Sequence, residues 1–145
     1  MKVILIVFFI FLNFSAYCFP TLDKKWKVKS YIGETWYAEP DTIIGESQYF
    51  EKGWGEGIFF NCEFKGLSKT YNIYSLDEFF KNKKFKLFKK LKDKIEFKDT
   101  NIYVHRITCE GDGTKDRSLM YPFVTFENWN VGYYLFEGAI YTLEY

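Results

Sequence analysis

Cys62 and Cys109 constrain this chain more than any other pair of residues. Each belongs to an apolar alternation: Ile58, Phe60, Cys62 and Phe64 share one face of a run, and Tyr103, His105, Ile107 and Cys109 share a face of another. A period of two is the repeat of a strand, so both thiols are expected on the side that meets a core. Pairing them closes a loop of 48 residues, counted inclusively. Loop-closure entropy for that length contributes about 4 kcal/mol at most.

The N-terminus bears on whether such a bond can persist. Met1-Lys2 is a short cationic start, Val3 to Leu12 is an unbroken apolar run, and Ala16-Tyr17-Cys18 offers a small residue at both positions a signal peptidase reads. That is the layout of a secretory signal peptide over residues 1–18, and cleavage after Cys18 is expected. The third cysteine would leave with the leader, and the remaining pair would oxidise in an extracytoplasmic setting, periplasmic or secreted. Two rivals stay open. An uncleaved anchor would keep the apolar run, which is shorter than the roughly 20 residues a spanning helix needs. A lipidated Cys18 would normally follow a small residue, and the bulky Tyr17 precedes it.

Residues 19–145 then form a single domain, long enough to bury roughly two-thirds of its unfolded surface without a metal or a partner. Aromatic residues make up 23% of the sequence, with 17 Phe and 12 Tyr, which excludes a disordered chain and favours strands. Without Lys2 the acids and bases balance, so a general nucleic-acid binder is not expected.

Along the chain, Trp26 to Ile32 reads as an opening strand with Trp26, Val28, Ser30 and Ile32 on one face. Thr35 to Ala38 suggests a short second piece, and 39–57 reads as irregular. Ile58 to Phe64 and Thr70 to Tyr74 read as a hairpin turning at Gly66-Leu67-Ser68. Ser75-Leu76-Asp77-Glu78 fits a capping box and opens a lysine-rich helical insertion around residues 76–92. Helical spacing puts Leu76, Phe79, Phe80, Leu87, Phe88 and Leu91 on one stripe. Phe85 points away, which suggests a bend or split near Asn82. Ile95 to Lys98 and Ile102 to Cys109 flank a turn at 99–101, and 110–113 is another turn. Strands at 121–127, 133–136 and 139–143 complete the chain, with a turn at 128–130. The expected fold is α+β: a mostly antiparallel sheet, open or partly curled into a barrel, with one helical insertion.

Charge is unevenly placed. Residues 79–98 carry nine lysines against Asp93 and Glu96, whereas 34–63 hold seven acids against Lys52. Lys84, Lys86, Lys89 and Lys90 are therefore candidate contacts for an acidic partner or an anionic membrane surface, with a plain solvated face as the alternative. Gly53-Trp54-Gly55-Glu56-Gly57 reads as a close-approach loop that would present Trp54 and Glu56 to a partner, or fold the tryptophan onto the core. Trp36 lies in the same acidic region. His105, the only histidine, reads as a hydrogen-bonded interior side chain. A metal site would need more ligands, and no Gly-x-Ser-x-Gly elbow offers a nucleophile. No cofactor or metal is called for.

The expected activity is surface recognition by a small exported binding protein, of inhibitor or immunity type, acting on another extracytoplasmic protein. Trp54 and the acidic stretch would anchor it, and the lysines would guide the encounter. Two other classes remain open. One is a small-molecule or lipid carrier with an aromatic interior. The other is a carbohydrate- or peptidoglycan-active enzyme using carboxylates of 34–63, such as Glu39 and Glu56.

Overall fold

The computed structural model describes residues 22–36, 39–51, 53–92, 101–110, 117–118, 121–126 and 130–145. The leader, the strand expected at 95–98, most of the 99–101 turn, most of the 110–113 turn and most of the 128–130 turn lie outside the described residues.

The order along the chain is β1 (Lys25–Ile32), β2 (Ser47–Phe50), β3 (Gly53–Gly57), β4 (Cys62–Tyr74), α1 (Leu76–Lys81), β5 (Ile102–Cys109), β6 (Arg117–Ser118), β7 (Phe123–Phe126), β8 (Val131–Phe136) and β9 (Ala139–Glu144). Strand order is β4-β3-β2-β1-β9-β8-β7-β5, and β5 pairs back onto β4, so eight antiparallel strands close into a ring. β6 pairs only with the far end of β5. The ring is not evenly round. β4 pairs with β3 through Cys62 and Leu67, then with β5 from Leu67 to Tyr74, so one 13-residue strand changes partners to close it. Closure removes most of the sheet edge that an open arrangement would leave unpaired.

Alternation sorts the side chains into two apolar layers. Inside the ring, Phe123 of β7 meets Trp26 of β1 at 5.1 Å and Phe50 of β2 at 5.6 Å between ring centroids. β7 is hydrogen-bonded to neither strand, so these contacts cross the interior. Outside, Ile102, Val104, Val124, Phe126, Tyr133, Leu135 and Ile140 form a second layer, covered by Phe79, Phe80, Phe85, Phe88 and Leu91 of the insertion. Each fully buried aromatic or aliphatic side chain contributes roughly 1.5–3 kcal/mol.

The disulfide expected from the sequence is present. Cys62 and Cys109 are bonded with a Cα–Cα distance of 5.6 Å, joining the start of β4 to the end of β5 where the ring closes. The capping box is present too: Ser75 Oγ accepts from Glu78 N–H at 3.3 Å, and Glu78 Oε2 accepts from Ser75 N–H at 2.9 Å.

Five local expectations change, the first being that the strand expected from Ile58 begins only at Cys62, with 58–61 outside any strand. Gly66-Leu67-Ser68 is not a turn, because β4 runs straight through it. Gly66 is there for close approach: a Cβ would stand 2.1 Å from the Glu110 carbonyl oxygen. Residues 39–57 are not irregular, since they supply a 3₁₀ turn at Pro40–Ile43 followed by β2 and β3. In β1 a bulge between Val28 and Ser30 reverses the alternation, so Tyr31 packs on the inner cluster and Ile32 on the outer one. Finally, the insertion does split at Asn82, whose backbone is extended, but its second part, Lys83–Leu91, is 3₁₀ and kinked at Phe85. Three residues per turn put Phe85, Phe88 and Leu91 on one buried face and leave Leu87 42% exposed. The stripe drawn at α-helical spacing had those two residues exchanged.

Candidate functional site

Strand register places one group of residues at the end of the ring where β1 finishes and the β8–β9 hairpin turns. Tyr31 of β1 sits opposite Tyr141 of β9, which sits opposite Tyr134 of β8, and Phe136 leads into the turn. The chain between β3 and β4 folds into the same end. Phe59 there lies 5.0 Å from Tyr134, 5.2 Å from Phe136 and 5.4 Å from Tyr141, centroid to centroid. Tyr31, Phe59 and Phe136 are half-buried, while Tyr134 and Tyr141 are buried.

Gln48, fully buried on β2, holds Phe59 and Phe60 in place. Its Oε1 accepts from both backbone N–H groups at 3.0 Å, and its Nε2 donates to the Phe60 carbonyl at 2.8 Å. A buried amide bonded in this way fixes the segment at no unpaired polar cost.

The β8–β9 turn consists of Glu137 and Gly138, with φ of 49° and 92°. Positive φ at both positions is the signature of a type I′ hairpin, where Asn-Gly is favoured and a glutamate is strained. Glu137 Oε2 is buried without a hydrogen-bond partner among the described residues, and so is the hydroxyl of Tyr141, a residue with 0% exposure. Burial, then the charge of Glu137, then Tyr31, raise the Tyr141 hydroxyl above its ordinary pKa. Tyr31 itself is raised by burial and by Asp41, whose carboxylate accepts its hydrogen bond.

Trp36 lies over this turn. Its backbone N–H donates to the Glu137 carbonyl at 3.1 Å, and a Cβ on Gly138 would stand 3.0 Å from its indole. The backbone of Trp36 is thus tied to the turn, while the residue is 81% exposed. Lys90 approaches the same place: its Nζ would be 3.3 Å from a Cβ on the neighbouring Gly33, as would the Gly138 carbonyl oxygen. Trp36 beside Gly138 and Lys90 beside Gly33, far apart in the sequence, thus both reach this end of the ring.

The other candidates lie elsewhere. Trp54 is half-buried within a strand, not on a free loop. Its ring stacks on Tyr49 at 6.4 Å and 17°, and its carbonyl accepts from Glu51 N–H at 2.9 Å. The glycines around it serve packing: a Cβ on Gly57 would meet the Ser47 carbonyl oxygen at 2.4 Å. Glu56 pairs with Tyr49 across strands and is exposed. Lys84, Lys86, Lys89 and Lys90 are exposed on the 3₁₀ run and form no ion pair among the described residues. That run covers β5, β7, β8 and β9, while Trp54 and Glu56 sit on β3, across the ring.

His105 faces inward. It is 2% exposed, its Nε2 is 2.8 Å from Thr125 Oγ1, and burial followed by the Lys69 charge lowers its pKa to about 4. A base of that strength is neutral at physiological pH and already engaged. Among the described residues no group of three His, Cys, Asp or Glu side chains could hold a metal, and no helix is long and apolar enough to cross a membrane.

Sequence reasoning missed Gln48, Glu137 and Tyr141. The one signal available was the two-residue gap, Glu137-Gly138, between the last two predicted strands, which marks a tight hairpin with a misfit first residue. No protein-family model, curated protein or solved structure matches this chain.

Proposed function

We propose that this is an exported, non-catalytic binding protein that recognises another extracytoplasmic protein through the ring end carrying Trp36, with the lysine face beside it. The observation that supports this reading is a tryptophan whose backbone is bonded to the β8–β9 turn and which is 81% exposed. Large exposed aromatics on a fixed backbone are typical interface hot spots. Burying Trp36 would stabilise a complex by roughly 4 kcal/mol before the costs of association. Lys90 reaches the same ring end beside Gly33, so an acidic partner surface is favoured, and Lys86 and Lys89 on the same run would speed the encounter. The disulfide is consistent with an extracytoplasmic setting.

Between the alternatives, packing favours a surface binder over a lipid carrier. The interior is crossed by a chain of touching rings from Trp26 and Phe50 through Phe123 to Tyr134 and Phe59.

Immobilised disulfide-bonded protein should capture a stoichiometric partner from extracytoplasmic extract. A Trp36→Ala variant, or reversal of Lys86, Lys89 and Lys90 to glutamate, should lose it, whereas Trp54→Ala should retain it. Absence of capture at both low and high salt would overturn the reading. Loss with Trp54→Ala alone would move the surface to β3.

A further inference from the structure

We propose that β4 is the pairing strand of a homodimer: its free edge at Lys69, Tyr71 and Ile73 joins the same edge of a second copy of this chain in an antiparallel pair. The inference stands apart from the Trp36 reading, because this edge lies toward the other end of the ring, beside Tyr74.

The phase of the hydrogen bonds opens this edge. Glu110 N–H donates to the Gly66 carbonyl at 2.9 Å, so the backbone of Gly66 faces β5. The β4–β5 register continues unbroken to Tyr74, and facing pairs in an antiparallel ladder alternate, so Ser68, Thr70, Asn72 and Tyr74 also bond to β5. The N–H and C=O groups of Lys69, Tyr71 and Ile73 then point the other way. β3 pairs with β4 no further than Leu67, and no other described strand takes its place. Natural sheet edges are shielded by charge, proline or a bulge, and Thr70-Tyr71-Asn72-Ile73 has none of these. Its strand-forming side chains are uncovered as well: Tyr71 is 44% and Ile73 50% exposed. Tyr71 is also held from one side, with its ring centroid 5.6 Å from Tyr103 and 5.8 Å from His105.

Free groups at every second residue are met by extended backbone, and charge selects a second copy as its source. Antiparallel self-pairing brings the two ends of a strand together. One end of this edge carries Lys69 and, opposite Thr70 on β5, the exposed Arg106. The other end runs through Ser75 into the first turn of α1, where Asp77 and Glu78 are exposed. Each copy's basic end therefore meets the other's acidic end. Arg106 forms no ion pair among the described residues, whereas Lys69 and Asp77 are already paired with Asp23 and Lys81. Side chains select the register. With Asn72 opposite Asn72 of the second copy, Tyr71 faces Ile73 and Ile73 faces Tyr71, so both exposed apolar side chains are covered by aromatic–β-branched cross-strand pairs. Centring the pair on Tyr71 instead would set Lys69 against Ile73. The operation is twofold, so each copy uses its own edge and assembly stops at two.

Sedimentation velocity of the disulfide-bonded protein, from about 5 µM to about 500 µM, should show a monomer–dimer equilibrium with a Kd in the tens of micromolar, as suits a short strand pair. Arg106→Glu and Asp77→Lys should each weaken the dimer about tenfold. The double variant should return to within about threefold of the parent, because the exchanged charges attract again. Ile73→Lys, which adds the missing edge charge, should weaken it about tenfold or more. In the stated register Asn72 lies opposite itself at a non-hydrogen-bonded position, where Cα atoms stand about 4.5 Å apart, within disulfide range. Asn72→Cys should therefore cross-link two copies under mild oxidation, and Thr70→Cys should not. All five positions are exposed, and far-UV circular dichroism checks that each variant folds. A monomer at every concentration, no recovery in the charge-exchanged double variant, or equal cross-linking through Thr70→Cys would each overturn the proposal. So would an edge that takes up a strand of another protein while the chain itself stays monomeric.

Discussion

Gln48 Nε2 donates to the carbonyl of Phe60 at 2.8 Å, and through this bond a side chain of β2 sets the position of the segment that closes one end of the ring. The same amide accepts from Phe59 and Phe60 N–H groups. Replacing Gln48 by leucine keeps the volume but leaves two buried donors and an acceptor unpaired. A loss of about 2–4 kcal/mol in urea unfolding is expected, from incomplete relaxation of groups that each cost about 1–3 kcal/mol. An unchanged midpoint would show that the segment is held by its rings alone.

His105 should make the fold acid-sensitive well above the range where carboxylates titrate. Its ordinary pKa of 6.5 falls to about 4 in the folded chain, so the unfolded chain takes up this proton first as pH drops. Stability is full above pH 6.5, declines between there and about pH 4, and levels off below, with a total change on the order of 3 kcal/mol. Unfolding free energies measured from pH 8 to pH 4 should show this slope, and His105→Gln should flatten it. An equal slope in the variant would assign the sensitivity to other groups.

Glu137→Asn should stabilise the protein. Asparagine suits the positive φ of the first turn position, and the substitution removes a buried carboxylate oxygen with no partner. A gain of about 1 kcal/mol in thermal or urea unfolding is expected. A destabilised variant would mean that Glu137 makes a structural contribution in solution.

The 3₁₀ run makes a sharp distinction between two neighbouring residues. Phe85→Ala removes a ring stacked on Phe79 at 4.7 Å and should cost about 3 kcal/mol or more. Leu87→Ala removes an exposed side chain and should stay within about 0.5 kcal/mol. An α-helix continued through this stretch would give the opposite order.

Leader cleavage and cross-linking share one assay. Protein recovered from the extracytoplasmic fraction and denatured without reductant should titrate no free thiol. A retained Cys18 would give one per chain, and an open pair would give two more. Either result would contradict the expected processing.

Period-two alternation marked β1 and β5 in the sequence, and apolar runs marked β7, β8 and β9, which are buried on both faces. Ser75 and Glu78 marked the start of α1, because a capping box is local. The cysteine pair marked where two distant strands meet, because an exported domain with two thiols has one way to pair them. What only the tertiary structure decided depends on contacts between residues far apart in the chain. Gly66 reads as a turn until the Glu110 backbone is beside it. A bulge at Lys29 turns Tyr31 inward, and only the register with β9 shows that it meets Tyr141. Trp54 reads as free on a glycine loop until Tyr49 stacks on it, and Trp36 becomes an exposed ring on a tethered backbone only once the Glu137-Gly138 turn folds beneath it. Local propensity encodes the elements. The surface they jointly present is set by strand closure, which no short window of sequence contains.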